Sequence, residues 1–303
     1  MSGPLAQPDL SPDAEAPVGP PCVEVTASRH ASIGALEVSR ALPHRARRTV
    51  GAWCFLDHML PTTADVGIGP HPHIGLHTVT WLLEGELLHR DGLGSEQAIR
   101  PGQLNLMTAG RGIAHSERTP ATLREGEHPV HGMQTWLALP RADEETAPAF
   151  HHHPAATLPR LERGGALLRV LAGRGFGAEA PVRVFADTLY VAIDLAPGAA
   201  IPLEDAHAER ALYLLDGDAR LDGTPLPARH LVLLERGTRP VLEASTPVKA
   251  MLLGGEPLDA TRHLWWNFVS SSTERIEQAK QDWLEGRFGR VPGDDEFIPL
   301  PER

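Results

Sequence analysis

Two short runs, His71-Pro72-His73 and His115-Ser116-Glu117, carry the residue types from which transition-metal sites are built. Within each run the two donors stand at i and i+2. On a β-strand that spacing sends both side chains to one face. Two such strands lining one barrel would direct three imidazoles and a carboxylate at a common point, a donor set suited to a divalent transition metal. One pair alone means little: with 16 histidines in 303 residues, about one H-x-H arises by chance. A lone buried histidine is also more often a packed core residue than a ligand. Two i, i+2 pairs are harder to explain by packing, because an inward-facing carboxylate with no cation beside it is costly to bury.

The setting of these runs is that of strands and turns. His71-Pro72-His73 follows Gly67-Ile68-Gly69-Pro70 and leads into the strand-like stretch Thr78 to Leu83, which ends at Glu84-Gly85. Leu87 to His89 leads into the turn Asp91-Gly92-Leu93-Gly94. Ala98-Ile99 is followed by Pro101-Gly102 and then Leu104 to Met107. Ala109-Gly110-Arg111-Gly112 turns the chain before Ile113 to Glu117, and Val130 to Leu139 completes the series. Strands at this spacing describe a small antiparallel barrel or sandwich. A second strand-rich block runs from about Ala166 to Leu253, with turns at Ala196-Pro197-Gly198, Asp216-Gly217 and Asp222-Gly223. The shared rhythm suggests duplication of one barrel, without a precise sequence repeat.

The organisation expected from this pattern is all-β. A disordered tail covers residues 1–20, which have almost nothing to bury. A metal-binding barrel spans 21–145, an acidic, proline-containing linker 146–162, and a second barrel with a C-terminal helix 163–303. The run His151-His152-His153, beside Pro154, is read as a solvated part of that linker. Ser271-Ser272-Thr273-Glu274 has the form of a capping box. Ile276, Ala279 and Trp283 then share a helical face, and Gly286 ends it. In the second barrel His207-Ala208-Glu209 falls near the place of a metal motif. No partner motif follows around Leu231 to Glu235, so that barrel is expected to be metal-free.

Composition narrows the function classes. Apolar residues make up 42% and charged residues 22%, normal for a soluble globular chain. The 29 glycines and 28 prolines require frequent turns, as in an all-β protein. A net charge of −11 argues against a general nucleic-acid surface, which needs a basic face. The cluster Arg45, Arg47 and Arg48 reads as a solvated strand edge or loop. Met1 to Pro21 lacks the apolar run of a secretory signal, and no segment has the apolar length of a membrane helix. Two cysteines, Cys22 and Cys54, are too few for a disulfide framework. A reducing cytoplasm is the expected compartment.

At the motif residues the sequence resembles the pirin family of the cupin superfamily. The resemblance lies in His71-Pro-His-Ile-Gly-Leu-His-Thr-Val-Thr-Trp-Leu-Leu-Glu-Gly85, Met107-Thr-Ala-Gly-Arg-Gly-Ile-Ala-His-Ser-Glu117 and His131-Gly-Met-Gln-Thr-Trp136, and more loosely in Gly254-Gly-Glu-Pro-Leu258. It extends from about Val25 to the C-terminal helix. It implies a bicupin, two tandem jelly-roll-like β-barrels with a C-terminal helix. One iron(II) would sit in the N-terminal barrel, ligated at the positions of His71, His73, His115 and Glu117. Manganese, nickel, copper and zinc would also satisfy such donors. Pirins usually read H-P-H-R-G-F-E-T where this chain has H-P-H-I-G-L-H-T, so Ile74, Leu76 and His77 depart from the pattern. His77 is left with three roles: a donor behind the ligands, a wall of the pocket, or an alternative ligand.

Some pirins resemble quercetin 2,3-dioxygenases, which open the central ring of a flavonol with dioxygen and release carbon monoxide. The resemblance therefore implies a small aromatic, flavonol-like substrate and dioxygen. Glu117 would be the general base for the flavonol 3-hydroxyl. His131 and Gln134, on the next strand, would line the pocket with His77, while Trp81 and Trp136 fill the core. The alternative that the resemblance carries is a redox-responsive iron protein that docks other proteins without catalysis.

Overall fold

The computed structural model describes residues 9–10, 22–126 and 128–302. Of the tail expected over 1–20, all but Asp9–Leu10 lies outside the described residues, and that pair forms a short ladder with Arg262 and His263. The fold is two tandem cupin barrels followed by one α-helix. The first barrel closes a seven-stranded sheet over a four-stranded one. The small sheet runs Gly67–His73, Ile113–Arg118, Leu87–Asp91 and Glu96–Ile99, in that order across the sheet. Leu76–Glu84, Val130–Ala138 and Trp53–Thr62 lie together in the large sheet. The second barrel repeats the plan with an eight-stranded and a four-stranded sheet.

Alternation along the large-sheet strands divides two environments. Leu82, Met59, Leu36 and Val38 point into the first barrel and pack there with Leu87, Ile99 and Val130. Leu56, Val79, Met133 and Leu137 point the other way. They join Val170, Tyr190, Leu212 and Leu252 of the second barrel in one continuous core. The two barrels are thus joined through their large sheets. Trp53 is the anchor of that junction: it is fully buried, and its ring lies 4.8 Å from Tyr190. Its Nε1 donates to the carbonyls of Leu189 and Gly254 at 3.2 and 3.1 Å.

Strand membership departs from the expected boundaries at two places. Cys22–Ala27 pairs with His230–Leu234 in the sheet of the second barrel, not the first. Ala149–His153, within the expected linker, is the edge strand of the first large sheet and pairs with Leu104–Thr108. Alternate residues there find partners inside the barrel. Phe150 stacks on His89, and His152 Nδ1 meets Asn105 Oδ1 at 2.7 Å. Pro154 follows directly after the strand, where it removes no ladder hydrogen bond. The three histidines are therefore part of a sheet, not of a solvated loop.

Helix α1 (Thr273–Leu284) buries Ile276, Ala279 and Trp283, as the periodicity predicts. Its N-cap lies one residue later than the capping-box reading. Ser272 Oγ accepts from Arg275 N, while Ser271 is held by the carboxylate of Glu144. Glu144 also pairs with Arg262, which is fully buried, at 2.7 Å. This pair fixes the segment before the helix against the end of the first barrel. The hairpin of Arg262–Trp265 and Phe268–Ser270 is thereby held beside His73 and Ile74. Among the described residues no helix is long and apolar enough to cross a membrane.

Trp53→Phe would keep most of the ring but leave two buried carbonyls without their donor. Urea denaturation should show a loss of about 1–3 kcal/mol.

Candidate metal centre

Strands Gly67–His73 and Ile113–Arg118 are antiparallel neighbours, with His71 opposite His115 and His73 opposite Ile113. This register brings His71, His73 and His115 together inside the first barrel. One nitrogen from each lies within 4.8 Å of the others. The ring centroids are 4.3 to 5.1 Å apart. His71 Nδ1 is occupied by the carbonyl of Gly69 at 2.9 Å, which leaves its Nε2 free. His73 Nδ1 is buried with no hydrogen-bond partner. His115 Nε2 is wholly buried with no hydrogen-bond partner. Such an atom costs free energy unless something outside the chain satisfies it.

Glu117 lines the same cavity. A register irregularity separates it from His115 along the ladder, and its carboxylate does not lie within 4.8 Å of all three imidazole donors. Gln134 Nε2 donates to both its oxygens at 3.1 and 3.3 Å, and Thr80 Oγ1 donates to one at 3.3 Å. The donor set fits a divalent transition cation: three buried imidazoles, two of them with an orphaned nitrogen, and a carboxylate on the adjoining wall.

Electrostatics agree with that fit. Burial lowers the His71 imidazole to about 4. Burial, reinforced by neighbouring histidines, takes His73 and His115 well below the usual range. All three are therefore neutral lone-pair donors at pH 7. Burial raises the Glu117 carboxyl, with His89, Thr80 and Gln134 pulling it back only in part.

The cavity above the triad has a volume of about 540 Å³. Phe55 and Trp136 form one wall as a stacked pair, 3.9 Å between centroids. Met59 and Ile68, with Trp265 and Trp266 of the hairpin, add further apolar surface. Trp136 is thus a cavity wall, its ring centroid 5.1 Å from that of His73 in a T-shaped contact, and not core filling alone. Trp81 is buried on the opposite side of its sheet, beneath Arg169.

Of the three expected pocket residues only Gln134 lines the cavity. His77 faces away from the barrel interior. It is fully buried, stacks on Phe185 and bonds Thr108. Strand alternation explains this, since Thr80 on the same strand points inward to Glu117 and His77 is an odd number of residues away. His131 likewise faces the second barrel, where its Nε2 meets His58 Nε2 at 2.8 Å and His58 adjoins Tyr213. Neither residue reaches the triad. The residues that the motif reading missed are His89 and Asp91, on the strand beside His115, and the Trp265–Asn267 tip. The first two carried a signal, being another i, i+2 pair of ligand types. The hairpin tip, remote in sequence, carried none.

With this geometry in place, the fold and site define a bicupin whose N-terminal barrel encloses a buried three-histidine centre able to hold a metal. The chain belongs to the pirin family. Residues 35–137 match the pirin model and residues 190–289 the pirin C-terminal cupin domain. A pirin-like protein of Caulobacter vibrioides is 46% identical over 284 residues, covering 91% of this chain and 98% of the relative. A Pseudomonas aeruginosa protein named "Putative quercetin 2,3-dioxygenase" is 44% identical over 268 residues, covering 85% of this chain and 82% of that one. The crystal structure of a quercetin 2,3-dioxygenase from Acinetobacter baumannii superimposes with a TM-score of 0.86 at 37% identity, covering 92% of this chain and 95% of that one.

The lowered histidines carry a consequence for stability. Five buried imidazoles, His71, His73, His115, His58 and His77, are all depressed. Their unfolded forms take up protons near pH 6.5, where the folded forms do not. Stability of the metal-free protein should therefore fall as pH drops from about 6.5 toward 4. Glu117 and Asp57, raised by burial, act in the opposite sense but are outnumbered. Chemical denaturation across this range should show a midpoint that declines with acid. A flat profile would mean that the imidazoles are not held neutral.

Proposed function

We propose that this protein is a metal-dependent dioxygenase acting on a flavonol-like substrate, with one iron(II) held by His71, His73, His115 and Glu117. The observation that carries the reading is a buried three-histidine cluster that reaches, through His71 and His73, the same aromatic-walled cavity as the buried Glu117 carboxylate. The similarity to proteins named as quercetin 2,3-dioxygenases supports the choice of substrate class. The cation, when bound, supplies Lewis acidity and a template for the reacting oxygens.

The chain's own residues supply the rest. Phe55, Trp136, Trp265 and Trp266 give the cavity aromatic walls between which a planar ring system fits. The same walls exclude water, which strengthens every polar interaction inside. Glu117 is the general base that takes the proton of the flavonol 3-hydroxyl. Its raised proton affinity moves it toward the pH at which it must accept that proton. Gln134 and Thr80 hold the carboxylate against the wall, so that it meets the substrate in one orientation.

Two measurements test this reading. Iron(II)-loaded protein mixed with quercetin should bleach the flavonol absorbance, and Glu117→Gln should slow that reaction by about 10²–10⁴-fold, the usual contribution of a general base. Absence of turnover with every divalent metal would overturn the enzymatic reading. Elemental analysis should find near-stoichiometric metal in the native protein and almost none in the His71→Ala/His115→Ala double variant. Equal metal in both would overturn the ligand assignment.

A further inference from the structure

The strand Leu87–Asp91 carries an i, i+2 pair, His89 and Asp91, to which the proposed reaction assigns no role. Both side chains are buried, Asp91 completely. His89 bridges two partners. Its Nε2 lies 2.9 Å from Asp91 Oδ2, and its Nδ1 lies 3.3 Å from Nδ1 of His115. Phe150 covers the face of the His89 ring, with centroids 4.2 Å apart and planes 13° from parallel. Asp91 cannot swing away, because its Oδ1 accepts from the backbone N–H groups of Leu93 and Ser95 at 2.9 and 3.0 Å.

These contacts set out a directed chain of hydrogen bonds. An ionised carboxylate only accepts, so the proton between Asp91 and His89 belongs to Nε2 of His89. An imidazole that carries this one proton has a lone pair on Nδ1, and the proton in the next contact then belongs to Nδ1 of His115. Nε2 of His115 is then unprotonated. That nitrogen, like Nδ1 of His73, is buried with no hydrogen-bond partner. A partner of this kind on the far nitrogen also raises the donor strength of the near one.

We propose that Asp91 and His89 are positioning residues for His115: an aspartate–histidine–histidine relay that sets its tautomer and holds its lone pair toward the point where His71 and His73 converge. The proposal rests on the metal-centre reading, but not on the identity of the substrate.

The relay has a direction, and one substitution reverses it. Asp91→Asn keeps an oxygen for Leu93 and Ser95, but its amide donates toward Nε2 of His89. His89 would then present a proton at Nδ1, His115 would accept there, and the proton of His115 would move to Nε2. Cobalt(II) affinity, measured by chelator competition in the full-length protein, should fall about 10–100-fold, the usual cost of losing such a partner. The cobalt absorption bands should shift with it. His89→Phe keeps the stack on Phe150 and leaves His115 free to choose its tautomer, so its loss should be smaller. The double variant D91N/H89F should bind cobalt more tightly than D91N alone, because removing His89 disconnects the reversed relay.

A role in packing alone predicts that the two losses accumulate. The proposal is overturned if D91N binds cobalt as tightly as the unaltered protein with an unchanged spectrum, or if the double variant binds more weakly than D91N. Should D91N not fold, His89→Phe decides by itself, and affinity and spectrum equal to those of the unaltered protein would refute the relay. An unaltered protein that binds no cobalt would overturn both the metal centre and the relay. Cobalt binding in the predicted order without quercetin turnover would leave the relay supported and the substrate reading refuted.

Discussion

Three imidazoles and a carboxylate enclosed in one water-poor barrel form the constraint around which the rest of the molecule is arranged. Each donor loses hydration on burial, and nothing in the chain fully replaces it. The imidazoles respond by staying neutral, and Glu117 by drawing donors from Gln134 and Thr80. The small sheet sets the spacing of the donors, since the pairing of Gly67–His73 with Ile113–Arg118 decides which rings meet. A one-residue slip in that ladder would turn His115 and Glu117 out of the barrel.

The large sheets serve this arrangement by being two-faced. Their inner face in the first barrel carries the cavity wall and Gln134, while their outer face is welded to the second barrel through Trp53 and the shared core. The second half of the chain also reaches back across the site. The buried Arg262–Glu144 pair holds the Trp265–Asn267 tip over the cavity. The second barrel is therefore more than a platform, because segments that follow it complete the wall of the first.

Much of this was legible in the sequence. Alternating apolar strands, turn residues at regular intervals and the two donor pairs are local signals, and each maps to an element close to where it was expected. The errors have physical causes. The face of His77 could not be extrapolated from His73, because the turn at Gly75, with φ of +67°, separates strands of different sheets. His131 and Gln134 stand three apart on one strand, so alternation assigns them to opposite faces. The resemblance to a family had placed them together. Ala149–His153 reads as linker because the stretch around it is acidic, contains proline and lacks periodicity, yet its edge position needs only every second side chain to find a partner. The crossing of Cys22–Ala27 to the second barrel and the docking of the hairpin tip depend on contacts about 200 residues apart, as between Val25 and Val232, which no local pattern encodes.

The central claim is that the three imidazoles and Glu117 share one cation. An anomalous-scattering map at the iron edge, from crystals grown anaerobically with iron(II), tests it directly. The account predicts a single strong peak in the first barrel, about 2.0–2.2 Å from one nitrogen each of His71, His73 and His115 and from a Glu117 oxygen, the distances usual for such donors on a divalent transition metal. A map with no peak among these residues, or with the iron bound elsewhere, would contradict it.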